Sequence, residues 1–176
     1  AWFNEQPRLT ARINTVKVSI EDCLKELQNL GWTVEQDNYI PEVVYIDGHQ
    51  GHLEKAKPVI EGHITFMDKA SMLVAHVVDP QPGDRVLDCC AAPGGKSMHM
   101  ASLMNNTGAI MSCDIYDHKL ELMNQNAERL GVSIVSTKLQ DGRYLPDNWK
   151  EQFDRVLVDA PCSGLGILQK KLDMRW

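Results

Sequence analysis

Two short loops hold the residue types that could do chemistry. Asp159-Ala160-Pro161-Cys162-Ser163-Gly164 places a carboxylate shortly before a thiol, and Asp88-Cys89-Cys90-Ala91-Ala92-Pro93-Gly94-Gly95-Lys96 is a glycine-rich turn bounded by an acid and a lysine. A thiol beside an acid suits covalent catalysis on a nucleobase. Carbon 5 of cytosine is a poor nucleophile until a thiolate adds to carbon 6; the resulting enamine can then attack the methyl group of a sulfonium donor. In such a reaction Asp159 would hydrogen-bond the ring N3 and exocyclic amine, a base would remove the carbon 5 proton, and Cys162 is the thiol at hand.

The glycine-rich turn reads as a ligand cradle. Gly94 and Gly95 allow close backbone approach, and a helix starting at Lys96 would aim its free N–H groups at the same place. Cys90, Ala91, Ala92, Pro93, Gly94, Gly95 and Lys96 are therefore the candidate cradle for an adenosyl or phosphate group. Asp114 closes the next apolar run, where an acid can accept hydrogen bonds from both ribose hydroxyls, and Asp141 closes the run after that, near an adenine amino group. A nucleotide triphosphatase is the competing reading. Cys90 to Ser97 departs from G-x-x-x-x-G-K-[ST] only at its first position, and Val156-Leu157-Val158-Asp159 could serve as a magnesium-binding strand. Against it, a triphosphate does not require Asp114, and a Cβ at Cys90 is a poor start for a phosphate nest.

The elements that must position these loops follow from periodicity. Arg85-Val86-Leu87, Ala109 to Cys113, Ile134 to Leu139 and Arg155 to Val158 read as strands. Between them lie helices from about Lys96 to Met104 and from Asp117, its cap, through Leu120, Met123, Ala127 and Leu130 to a stop at Gly131. Strands alternating with helices imply right-handed crossovers and a doubly wound parallel sheet with helices on both faces, an α/β Rossmann-like fold. Loops at the carboxyl ends of such strands share one crevice, so loops distant in sequence can meet. A further helix from Asp68 to Val78 precedes the breaker cluster Pro80-Gln81-Pro82-Gly83.

Upstream, Ser19-Ile20-Glu21-Asp22 is a capping box for a helix with Ile20, Cys23, Leu24, Leu27 and Leu30 on one face and Gly31 as its stop. Strands are expected at 11–18 and 43–46. Residues 1–66 thus form a small α+β unit, and 67–176 the N-terminal part of the larger domain. The small unit carries ten acids against six Lys or Arg, so it is no basic platform, and the whole chain is at −6. Bulk electrostatic grip on nucleic acid is excluded, which leaves local patches such as Lys170, Lys171 and Arg175. Five cysteines in no disulfide or zinc spacing point to a reducing, cytoplasmic setting. No apolar run spans a bilayer. The absence of an initial Met, the abrupt end at Trp176 and an apolar edge strand read as a fragment.

From about Arg8 to Trp176 the chain resembles the bacterial Sun/Fmu (RsmB-type) RNA 5-methylcytosine methyltransferases. The likeness rests on Asp88 to Lys96, Asp114, Asp141-Gly142-Arg143 and Asp159 to Gly164, in order, with Gly62 to Ser71 as a similar lead-in. It implies S-adenosylmethionine as cofactor, with Cys90 to Lys96 around its methionine and ribose, Asp114 on the ribose and Asp141 near the adenine. Asp159 would face both the cofactor and a cytosine of small-subunit ribosomal RNA. It also implies that the attacking thiol belongs to a Thr-Cys-Ser type motif beyond the chain, leaving Cys162 as assistant and the fragment inactive. DNA cytosine methyltransferases use the Pro-Cys thiol itself, so the role of Cys162 stays open. A noncatalytic cofactor- or RNA-binding module is the remaining alternative.

The other reactive types have plainer readings. Cys23, Cys89 and Cys113 occupy apolar periodic positions and are expected as buried hydrophobes. His49, His52, His63, His76, His99 and His118 are assigned no role, and no metal site or oligomer is expected.

Overall fold

The computed structural model describes residues 8–160. Strands β1 (Leu9–Ile13), β2 (Thr33–Gln36), β3 (Val43–Gly48) and β4 (Ile64–Phe66) form an antiparallel sheet of order β2-β3-β1-β4, with helices α1 (Ile20–Asn29) and α2 (Lys57–Ile60) between them. Alternation along β1 decides its two faces. Ala11 and Ile13 pack with Val44, Ile46, Ile64 and the α1 residues Cys23 and Leu27 in a closed core. Thr10 and Arg12 point the other way. Ser19 caps α1 as its motif implies, its Oγ accepting from the Asp22 amide and donating to the Asp22 carboxylate. Leu30, placed by periodicity on the buried face, is instead the 39% exposed C-cap.

β1 stops at Ile13 rather than running to Val18, because Asn14 turns the chain. Its carbonyl accepts from the amides of Lys17 and Val18 and its side-chain oxygen from that of Val16. The short strands β2 and β4 carry too little alternation to be read from sequence.

The second sheet is parallel, with β5 (Arg85–Asp88), β6 (Ala109–Asp114), β7 (Val135–Leu139) and β8 (Arg155–Leu157) in the order β7-β6-β5-β8. Helices α3 (Lys69–Val78), α4 (Gly95–Leu103) and α5 (Asp117–Leu130) contribute to one core with the sheet: Ala75, Met98, Ala101 and Ala127 against Val86, Ile110 and Leu157. Among the described residues the opposite sheet face, bearing Leu87, Cys89 and Cys113, is covered by Trp149 and Phe153. Asp117 is the first residue of α5 rather than its cap; Tyr116 holds that position. Met123, Ala127 and Leu130 are buried as their spacing predicts. No helix among the described residues is long and apolar enough to cross a membrane.

The two sheets are joined by a seam of carbonyls. Asn14 Nδ2 donates to the carbonyls of Gly62 and Leu130, both at 2.8 Å, and Lys17 Nζ to those of Glu61 and Arg129. The Lys17 ammonium meets the C-terminal end of α5, where the helix dipole favours a cation.

Candidate functional site

The strand order puts the site between β5 and β8. The chain leaves β5 toward β6 and β7 on one side and returns to β8 on the other, so the loops after β5 and β8 open onto a topological switch point. These are the two loops whose residue types suggested chemistry in the sequence. Asp159 and Ala160 are the last described residues of the second; Pro161, Cys162, Ser163 and Gly164, with Lys170, Lys171 and Arg175, lie outside the described residues.

The first loop is held from below. Asp88, 1% exposed, accepts from Ser97 Oγ at 2.7 Å, and Ser97 Oγ accepts from Ser112 Oγ at 2.8 Å. The Ala91 amide donates to the Cys113 carbonyl and the Gly94 amide to that of Ala91. Gly94 caps α4 at φ +97°, and a Cβ there would lie 3.1 Å from Met123 Cγ, so backbone conformation and packing both call for glycine. Gly95 is different, since its Cβ would make only ordinary contact with Met67. Its lack of a side chain keeps the start of α4 open to a ligand. Among the described residues, Met67 is a neighbour of the cradle that sequence pattern did not single out.

The predicted acids surround the loop. The Cys90 thiol is pushed up by burial and then by the carboxylates of Asp88, Asp114, Asp159 and Asp141, so all four act on one point. Asp114, at the end of β6, is 8% exposed; its Oδ1 accepts from the Tyr116 amide and stands 3.7 Å from Lys119 Nζ. Asp141 is gripped by Arg143, whose Nη2 and Nε reach its carboxylate at 2.6 and 3.0 Å, and this holds the acid down at about 2. Arg143 was legible only as part of the motif, not as a partner for the acid. Lys96 Nζ lies 2.6 Å from Asp159 Oδ2, so the lysine of the first loop meets the acid of the second.

This arrangement disfavours a triphosphate. Asp114, Asp141 and Asp159 would add to its negative charge, and the lysine that should meet its phosphates is paired with Asp159. A ligand carrying an ammonium and a sulfonium centre suits the same ring. Cys89 and Cys113 are buried with their thiols raised, Cys113 to about 12, and Cys23 likewise reaches about 12; burial dominates at all three, which keeps them unreactive.

Asp88 supplies a pH test. Burial raises its carboxyl to about 6, and Oδ1 is buried without a partner among the described residues. The fold therefore favours the protonated acid: that stabilisation is complete below about pH 4 and is lost as pH rises through 6, on the order of 3 kcal/mol. Urea midpoints measured from pH 7 to 5 should rise less steeply in Asp88→Asn than in the parent chain. Parallel curves would contradict the assignment.

Comparison with known families decides the relationship. The family model described as 16S rRNA methyltransferase RsmB/F matches residues 75–176, and a second, for the ferredoxin-like domain of RsmF/B-like methyltransferases, matches 1–51. The chain belongs to the RsmB/F methyltransferase family. Within that family it is 39% identical over 171 residues to the probable ribosomal RNA small subunit methyltransferase B of Bacillus subtilis (strain 168), covering 97% of this chain and 38% of that one. It is 36% identical over 169 residues to the human 28S rRNA (cytosine(4447)-C(5))-methyltransferase, covering 95% and 21%. A solved methyltransferase homolog from Pyrococcus horikoshii superposes with a TM-score of 0.85 at 29% identity, covering 98% of this chain and 56% of that one. The chain spans about two fifths of the length of its bacterial curated relatives. The family match and this superposition accord with the expected α/β fold with a parallel sheet and a small α+β unit, whose sheet is antiparallel.

Proposed function

We propose that the chain is the methyl-donor-binding part of an enzyme that uses S-adenosylmethionine to methylate carbon 5 of a cytosine in RNA, with small-subunit ribosomal RNA as substrate. The observation carrying this reading is the 2.6 Å contact of Lys96 Nζ with Asp159 Oδ2, which brings the glycine-rich loop at the start of α4 and the loop after β8 to one place. S-adenosylmethionine supplies an electrophilic methyl group when bound. Cys90 to Lys96 would wrap its methionine and ribose, Asp114 would accept from the ribose hydroxyls, and Asp141, steadied by Arg143, would lie near the adenine.

Asp159 would bridge donor and target. Its carboxyl group would deliver a proton to N3 and accept from the exocyclic amine of cytosine, favouring addition of a thiol at carbon 6, while Lys96 orients it. After methyl transfer a base removes the carbon 5 proton and the thiol is expelled. The attacking thiol is assigned to a motif beyond this chain, with Cys162 as assistant, so this chain alone would bind donor without turning over. Residues 1–66 would serve as an RNA-facing subdomain and 67–176 as the start of the catalytic domain, in a cytoplasmic, monomeric enzyme needing no metal.

Calorimetry tests the donor reading. S-adenosylmethionine or S-adenosylhomocysteine should bind the chain and ATP should not; tight ATP binding without donor binding would sink the proposal. Trapping with 5-fluorocytosine RNA on the longer parent protein locates the nucleophile. The adduct should survive Cys162→Ala, and its loss would make Cys162 the attacking thiol.

A further inference from the structure

Helix α4 carries the cradle at its N-terminus, and the small unit touches it along one stripe. Met67 Sδ and Cε lie 3.7 Å from where a Gly95 Cβ would be, and the Met67 carbonyl is bound by Thr10 Oγ1 of β1. One turn on, Glu42 Oε1 accepts from His99 Nε2 at 2.8 Å. At the next contact Arg12 Nη1 donates to Ser102 Oγ at 2.9 Å. Positions 95, 99 and 102 share one helical face. Three residues of the small unit and its connection thus hold α4 at three points along its axis.

Glu42 is the charged centre of this contact. The same Oε1 accepts from His76 Nε2 of α3 at 2.5 Å, so one carboxylate ties α3 and α4 to the small unit. His99 is fully buried. Facing a carboxylate, each imidazole presents Nε2 as the donor, which leaves His99 Nδ1 as a bare lone pair; that atom indeed has no partner among the described residues. One carboxylate and two imidazoles, their ligand atoms within 4.8 Å of one another, are also a divalent-cation donor set. Two features favour the hydrogen-bonded form. The fully buried Arg12, with Nε and Nη2 unpartnered among the described residues, adds positive charge that acts on both Glu42 and His99. A metal-binding His99 would also need an acceptor for Nδ1–H, and none is present among the described residues.

We propose that Glu42 is a positioning residue for the methyl-donor site: acting through His99, it fixes the rotation and axial position of α4 and so the placement of Gly95 and Lys96. The small unit is then part of the donor site, although it contributes no residue to the glycine-rich loop. Lys96 lies one turn before His99, and its pairing with Asp159 depends on where that turn sits. The inference rests on the donor reading of the cradle given above.

The test compares S-adenosylhomocysteine binding by calorimetry in the parent chain, Glu42→Ala and Glu42→Gln. Loss of the anchor in Glu42→Ala should weaken binding about ten-fold, as a small misplacement of a binding group does. Glu42→Gln keeps an acceptor oxygen for both imidazoles and should recover most of that loss. Equal affinity of Glu42→Ala and the parent, or no rescue in Glu42→Gln, would overturn the inference while leaving the donor reading intact. A parent chain that binds no donor or product overturns both. Should Glu42→Ala not fold, amide exchange in the parent chain decides: product binding should slow exchange beyond the loop, at residues 99–103 of α4, and protection confined to residues 90–97 would overturn the coupling. Release of bound zinc on chelation, with the same loss of affinity, would overturn the hydrogen-bonded mechanism.

Discussion

Asp114→Ala is expected to abolish useful donor binding, raising the dissociation constant for S-adenosylhomocysteine about a hundred-fold. The acid closes β6 beside the mouth of α4, is nearly buried, and acts on the same point as Asp88, Asp141 and Asp159. A hydrogen bond to a charged acceptor is worth about 1.5–3 kcal/mol, and two ribose hydroxyls on one carboxylate amount to about 3 kcal/mol after coupling losses. Asp114→Asn keeps one acceptor but loses the charge, so it should fall between, near ten-fold. The described contacts of the carboxylate, to the Tyr116 amide and near Lys119, make only a small stability change expected. Calorimetric titration of the three chains, with thermal melts as controls, measures this. Unchanged affinity in a folded Asp114→Ala chain would remove the ribose assignment.

Gly62→Ala should cost about 3–4 kcal/mol of stability, a large share of the 5–15 kcal/mol typical of a domain. Gly62 has φ +73°, and an added Cβ would sit 2.2 Å from the Arg129 carbonyl oxygen and 3.0 Å from its carbon. These are backbone atoms at the C-terminal end of α5, and Lys17 and Asn14 clamp the same stretch. Relief therefore requires the small unit and α5 to separate. Gly51→Ala is the internal control: its φ is +75°, yet nothing lies within 4 Å of its Cβ, so it should cost only the backbone strain, about 1 kcal/mol. Urea midpoints of the two variants separate the clash from the strain. Similar values would mean that the seam gives way without cost.

Local chemistry explains what was legible. The run from Asp88 to Lys96, with acids closing the next two strands, announces a ligand loop because glycine, a helix start and strand-end carboxylates each have a physical reason to be there. The buried stripe of α5 and the cap of α1 follow from side-chain period and local hydrogen bonding. Asn14 illustrates the limit. Nothing in the apolar pattern from Ala11 to Val18 says that Asn14 will turn the strand: its local bonds to Lys17, Val18 and Val16 are secured by the pairing of its amide with Gly62 and Leu130, which are far away in sequence.

His76, His99 and Glu42 show the same limit from the other side. Each alone reads as an unassigned polar residue, and only packing of the small sheet on α3 and α4 makes one carboxylate serve two imidazoles. Lys96 read as a cradle residue, yet its distance to Asp159 depends on β8 lying next to β5, and strand order is not written in strand sequence.

The sequence by itself pointed to the type of chemistry proposed, to the residues that could take part and to the alternating elements that carry them, since these depend on residue type and short-range period. The tertiary structure decided which of those residues meet. Long-range pairing of strands brought Asp159 to Lys96, and burial of a polar seam made the small unit a support for the cradle, because such contacts gain their free energy from groups that only the completed fold brings together.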